Sequence, residues 1–162
     1  MKYKYIGKIV STHGIKGEMK IISKSQYKDK LFKKDSFIYL GDAKEKHLIK
    51  SYRVHKIYDM ITIDDLNNIN DILKFVGLKV YKNRNDIHLN DNEFFYDDLI
   101  NYSVIYDNKN IGTITDYDDK TSNIVFKVGG YKNFYLPFNG PFIKKINHDK
   151  SEIIVTDIGG LL

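Results

Sequence analysis

Short runs of apolar and β-branched residues, broken by turn residues, follow one another along this chain of 162 residues. Ile6-Gly7-Lys8-Ile9-Val10 and Met19-Lys20-Ile21-Ile22 read as two half-buried strands. Between them Gly14 and Gly17 bracket Ile15-Lys16, a pattern that predicts a tight turn with positive φ or close backbone approach. Further strands are expected at 36–40, 47–54, 60–63 and 78–81, with Gly41-Asp42 and Tyr58-Asp59 read as turns. One segment reads as a helix, Asn70-Asp71-Ile72-Leu73-Lys74-Phe75-Val76. Asn68 or Asn70 can cap its start, and Gly77 fits the position just past its end.

Residues 84–92 are mostly polar and read as a linker between two strand-rich halves. The second half opens on Glu93-Phe94-Phe95-Tyr96-Asp97-Asp98-Leu99-Ile100. Strands follow at 102–106, 111–117, 123–128, 133–136, 143–146 and 153–155, and Gly129-Gly130 marks a hairpin. The pattern predicts an all-β protein of two small β-barrel domains, 1–83 and 93–162, with one short helix near the end of the first.

Composition changes this picture in two ways. With 42% hydrophobic and 29% charged residues the chain is globular, and 13 Tyr and 9 Phe supply bulk for two small cores. There is no cysteine, which excludes disulfides and thiolate metal sites and fits a reducing compartment. No signal-peptide core or membrane-length apolar run is present, so a cytoplasmic protein without a membrane is expected.

Charge is unevenly divided. Residues 1–85 carry 19 Lys and Arg against 9 Asp and Glu; residues 86–162 carry 7 against 12. Only two cations are arginines, and a general enrichment in Lys, Asn and Ile inflates lysine everywhere. That bias does not make the second half acidic. The first half suits phosphate, and the second suits a basic protein.

The run Gly7-Lys8-Ile9-Val10-Ser11-Thr12-His13-Gly14-Ile15-Lys16-Gly17-Glu18 resembles the N-terminal signature of the RimM family of ribosome maturation factors. Gly77-Leu78-Lys79-Val80 agrees with it. In the second half Glu93-Phe94-Phe95, Asp98-Leu99-Ile100, Ile111-Gly112, Leu136-Pro137-Phe138, Phe142-Ile143-Lys144-Lys145-Ile146 and the ending Gly160-Leu161-Leu162 resemble the family's PRC-barrel domain. The resemblance implies a non-enzymatic factor that binds the immature small ribosomal subunit and assists head assembly and processing of small-subunit rRNA. It implies no cofactor, and it implies docking of the nineteenth small-subunit ribosomal protein through a paired aromatic motif. A monomer is expected. The chain departs from the family in carrying phenylalanine at both aromatic positions, Asn101 in place of a glycine, and a poor match to the pattern before the helix.

Candidate contacts follow. For RNA they are His13, Lys16, Lys20 and Arg53. His13 at a hairpin tip serves either turn structure or RNA, Lys16 and Lys20 suit phosphate or plain solvent, and Arg53 suits RNA or an ion pair. For the protein partner they are Phe94, Phe95, Tyr96, Asp97 and Asp98. In an extended chain Phe94 and Phe95 point to opposite faces, one inward and one available outside. Asp98 equally suits the cap of a short helical turn at Leu99-Ile100. The carboxylate pairs Asp64-Asp65, Asp97-Asp98 and Asp118-Asp119 lack metal-site spacing and read as solvated turns. Two other readings stand beside the assembly factor: a general RNA-binding module without a ribosomal protein partner, and a hydrolase centred on His13.

Overall fold

The computed structural model describes residues 1–91 and 93–162, in two compact units, Met1–Asn90 and Asp91–Leu162. Asn92, the last residue of the expected linker, lies outside the described residues. Residues 84–90 group with the first unit, where Arg84–Asp86 form a 3-10 turn capped by the Asn83 side chain.

The first unit is a closed barrel. Its strands are β1 (Tyr3–His13), β2 (Glu18–Ile22), β3 (Phe37–Leu40), β4 (Glu45–His55), β5 (Tyr58–Ile63) and β6 (Lys79–Asn83), in the order β1-β2-β5-β4-β3-β6. Ile6, Ile9, Met19, Ile21, Ile38, Leu40, Ile49, Ile61, Ile63 and Val80 are buried. Alternation along β2 turns Met19 and Ile21 inward and leaves Glu18 and Lys20 on the outer face. Two short helical segments accompany the strands, α1 (Lys28–Leu31) and α2 (Ile69–Ile72). The expected helix is α2, continued by a 3-10 turn, Leu73–Phe75. Asn68 Oδ1 accepts the Asn70 N–H, and Gly77 has φ 92°.

Tyr58-Asp59 is not a turn. These residues open β5, and the chain reverses at Lys56-Ile57. Asp59 is buried because partners meet its carboxylate: the Tyr52 hydroxyl donates to Oδ1 at 2.6 Å, and Lys28 Nζ lies 3.1 Å from Oδ2. Lys28 comes from α1, a single turn too short to leave a periodic pattern. Asp64 is more than a solvated turn residue, since it accepts from the Leu48 N–H and meets Nδ1 of buried His47.

Lys82 points into the same barrel as Val80 and is 1% exposed. Its ammonium donates to Ser36 Oγ and the Phe37 carbonyl, at 2.7 and 2.9 Å. Burial pushes its pKa down to about 8. The unfolded chain therefore holds this proton more tightly, and the penalty is present below pH 8 and gone above about 10.5. Comparing wild type with Lys82→Met by denaturant titration, wild type gains up to about 3 kcal/mol relative to the variant between those limits. A gap independent of pH would show that the ammonium is not desolvated.

The second unit is a six-stranded sheet. It contains β7 (Ser103–Tyr106), β8 (Lys109–Asp118), β9 (Val125–Gly129), β10 (Phe134–Pro137), β11 (Ile143–Asn147) and β12 (Glu152–Val155), ordered β10-β9-β8-β7-β12-β11. The β7–β12 pair is parallel, and the other pairs are antiparallel. Leu99, Val104, Ile114, Phe126, Val128, Leu136 and Ile153 form its core. Asp107 and Asn108 take positive φ in the β7–β8 turn. Asn101, at the family's glycine position, also takes positive φ, 75°, and its N–H donates to the Ile114 carbonyl. Among the described residues no helix is long and apolar enough to cross a membrane.

Candidate functional site

The β1–β2 hairpin sets the first site. Gly14 and Gly17 both have positive φ, at 65° and 90°. Gly17 packs against the backbone of Leu66 and Asn67, and the Ile69 N–H donates to the Ile15 carbonyl at 3.0 Å. The loop before α2 thus holds the hairpin from one side, while Ile15 and Lys16 stay exposed at its tip.

On the strands behind this tip, three of the four expected RNA residues share one face. His13 pairs in register with Glu18, and Lys20, Met60 and Arg53 lie in one row across β2, β5 and β4. Arg53 donates Nε–H to Glu18 Oε2 at 2.6 Å and an Nη2–H to Oε1 at 2.8 Å. The imidazoles of His13 and His55 lie 5.3 Å apart, and Lys20 Nζ stands 4.8 Å from the Tyr58 ring. Of the two readings of Arg53, the free protein therefore makes the ion pair. The Arg53 hydrogen bonds hold the Glu18 carboxyl below the usual range, helped by His13 and His55. Partial desolvation, then the charges of His13, Arg53, Lys56 and Lys20, hold His55 below the usual histidine value. Lys16 is the expected residue that stands apart, at the tip.

The second site is built from rings. The 3-10 turn Tyr96–Leu99 starts three residues before the place expected from sequence. Asp98 caps it, its Oδ2 accepting the Phe95 N–H at 3.3 Å. Phe95 is 1% exposed and so is not a surface aromatic. Phe94 and Tyr96, two residues apart, lie half-buried on the core. A row of rings runs Tyr117, Tyr96, Phe138, Phe94, His148, Tyr102, with successive centroids 5.5–6.0 Å apart. The Tyr102 hydroxyl meets His148 Nδ1 at 2.9 Å. Phe126 lies beneath, in edge contact with Tyr96, Tyr117 and Phe138. Acids flank both ends. Burial and then Asp97, Asp119 and Asp116 raise the Tyr117 pKa; burial and then Asp98 raise that of Tyr102. Asp97 is exposed, while Asp98 is half-buried in its capping role. Among the described residues no group of three His, Cys, Asp or Glu could hold a metal ion.

Comparison with known proteins decides the family. The RimM N-terminal domain family matches residues 4–87, and the RimM PRC barrel domain family matches residues 96–161. The chain belongs to the RimM family. It is 36% identical over 162 residues to the ribosome maturation factor RimM of Staphylococcus aureus strain NCTC 8325, covering 97% of each chain. Against the RimM of Staphylococcus aureus strain Newman it is 35% identical at the same coverage. A solved RimM structure from Pseudomonas aeruginosa aligns at 22% identity and TM-score 0.49, covering 95% of this chain and 96% of that one. The N-terminal domain of RimM from Thermus thermophilus aligns at 16% identity and TM-score 0.47, covering 55% of this chain and 98% of that domain.

RimM membership makes this chain a ribosome maturation factor, as expected from the ordered motifs. The sequence left several members of the two sites unfound. Glu18 closes the RimM signature, but nothing in its spacing from Arg53 announces the pair. His55 stands two residues after Arg53, and no local signal points to its contact with His13. Tyr102, Tyr117 and His148 carry no local signal; only the tertiary fold lines them up.

Proposed function

We propose that this RimM chain bridges two components of the immature small ribosomal subunit, its first unit contacting rRNA and its second docking a basic head protein. The head protein is the nineteenth protein of the small subunit, the partner that family resemblance implies. Opposite charge on the two units carries this reading. Met1–Asn90 holds 19 basic and 10 acidic side chains, and Asp91–Leu162 holds 7 and 11. Two weak contacts joined in one chain bind together far more tightly than either alone. A partly assembled head that presents both ligands at once is then preferred. The factor acts as a monomer and contributes surfaces rather than a chemical step.

On the first unit, Lys16 at the hairpin tip and Lys20 on the face behind it contact phosphates, with His13 and His55 placed to meet a base or a phosphate. On the second, Phe94 and Tyr96 supply apolar area, and Asp97 with Asp116 and Asp119 complements basic side chains of the partner. Phe95 acts from beneath, through its place before the 3-10 turn, and Asp98 holds that turn.

Replacing Lys16 and Lys20 together by alanine tests the rRNA half. Binding of a small-subunit rRNA transcript weakens, and the slope of log affinity against log salt flattens by about 1.5. An unchanged slope, measured by filter binding across a salt series, removes both lysines from the RNA footprint. It would leave the family role intact with a different RNA surface.

A further inference from the structure

The Arg53 guanidinium on the first barrel already holds an anion, and that anion belongs to the chain. Glu18 takes two hydrogen bonds from one edge of the Arg53 guanidinium, at 2.6 and 2.8 Å. A phosphate uses the same fork in the same way. The other titratable neighbours of Glu18 are the imidazoles of His13 and His55, and Lys20 and Lys56 act on His55 from nearby. Two fixed cations, Lys20 and Arg53, share this face with one carboxylate, and Lys56 stands in the adjacent β4–β5 turn. The pair lies at the surface, with the Arg53 side chain 50% exposed and that of Glu18 19% exposed. The fork makes this pair stronger than a typical surface contact, but with half of the Arg53 side chain open to water an incoming anion reaches it without unfolding of the barrel.

From this geometry we infer that Glu18 is a placeholder for an RNA phosphate. When rRNA docks, one of its phosphates takes the Arg53 fork, and Glu18 turns away from it. The inference rests on the reading of this face as the rRNA contact. In the free protein the carboxylate keeps the arginine oriented and lowers the attraction of stray polyanions. Bound RNA must supply enough additional contacts, from Lys16, Lys20 and the imidazoles, to displace it. Glu18 thus weakens binding to any polyanion while discriminating against those that meet Arg53 alone.

The test is a double-mutant cycle read with a small-subunit rRNA transcript in a salt series. Glu18→Gln, close in shape to the native residue, binds about three- to tenfold more tightly than wild type at nearly the same salt slope, because the Arg53–phosphate contact forms in both and only the cost of displacing the carboxylate is lost. On an Arg53→Gln background the same change gives no gain. A gain that persists without Arg53 would mean that Glu18 acts only as a nearby negative charge, and would overturn the placeholder. No gain in the single variant would overturn it too. Lys16→Ala/Lys20→Ala is run alongside. If that variant weakens binding while Glu18→Gln does not strengthen it, the placeholder alone fails. If neither variant changes binding, the rRNA reading of the face fails with it.

Discussion

Gly17→Ala lowers the stability of the first unit by about 3 kcal/mol, while Gly14→Ala costs about 1. Both glycines have positive φ, so both substitutions carry the strain of a left-handed backbone. They differ in their surroundings. A Cβ on Gly14 meets nothing within 4 Å, whereas one on Gly17 runs into the Leu66 carbonyl oxygen and comes within 3.1 Å of Asn67 Cα. Those are backbone atoms, which cannot swing aside as a flexible side chain would. Relieving the clash moves the loop before α2 and strains the Ile69-to-Ile15 hydrogen bond that seats the hairpin. For a domain of this size the loss lowers the melting temperature by roughly 15 °C. Equal effects of the two substitutions, in thermal or denaturant unfolding, would show that the loop yields freely and that the hairpin tip is not held from that side.

Phe94→Ala combined with Tyr96→Ala weakens binding of the basic head protein by about 3 kcal/mol, a loss of roughly a hundredfold. These two rings join the Tyr117 end of the aromatic row to the His148 end, and each touches Phe138. Both also rest on the core of the second unit, so some loss of stability accompanies the change. Asp97→Lys separates the two effects, because Asp97 is exposed and lies outside the buried core of the second unit. That variant slows association with the partner and leaves the melting temperature close to that of wild type. Unchanged affinity in both variants, measured by calorimetry on folded protein, would move the docking surface elsewhere. Phe95→Ala acts differently: with a ring 1% exposed, it lowers stability first and affinity only as a consequence.

The strands of both sheets were legible in the sequence, because period-two alternation and turn residues are local signals. The helix at Ile69–Ile72 was legible from its Asn68 cap and the glycine beyond its end. The errors have tertiary causes. Tyr58-Asp59 looked like a turn because aspartate is rare inside strands; Tyr52 and Lys28, distant in sequence, make its burial possible. The turn at Lys28–Leu31 is held by burial of Leu31 and by the Lys28–Asp59 pair rather than by periodicity. Among the candidate residues, His13, Lys20 and Arg53 were named from residue type and position, whereas the Glu18–Arg53 pair and the His13–His55 contact emerge only once β1, β2 and β4 are folded together. The aromatic pair at 94–95 announced two faces, and the fold decided that Phe95 is the inner one. Tyr117, Phe138 and His148 reach the same ridge from other parts of the chain, where no spacing rule connects them.

On the proposed function, the two units recognise two components presented together by an unfinished head. Co-sedimentation of the purified chain with immature small subunits, mature small subunits and whole ribosomes tests it most directly. The expected result is a preference for immature small subunits that falls away in Phe94→Ala/Tyr96→Ala and in Lys16→Ala/Lys20→Ala alike. Equal, salt-sensitive binding to all three particles, unaffected by the aromatic substitutions, would contradict it and leave a basic barrel that binds RNA without regard to the state of assembly.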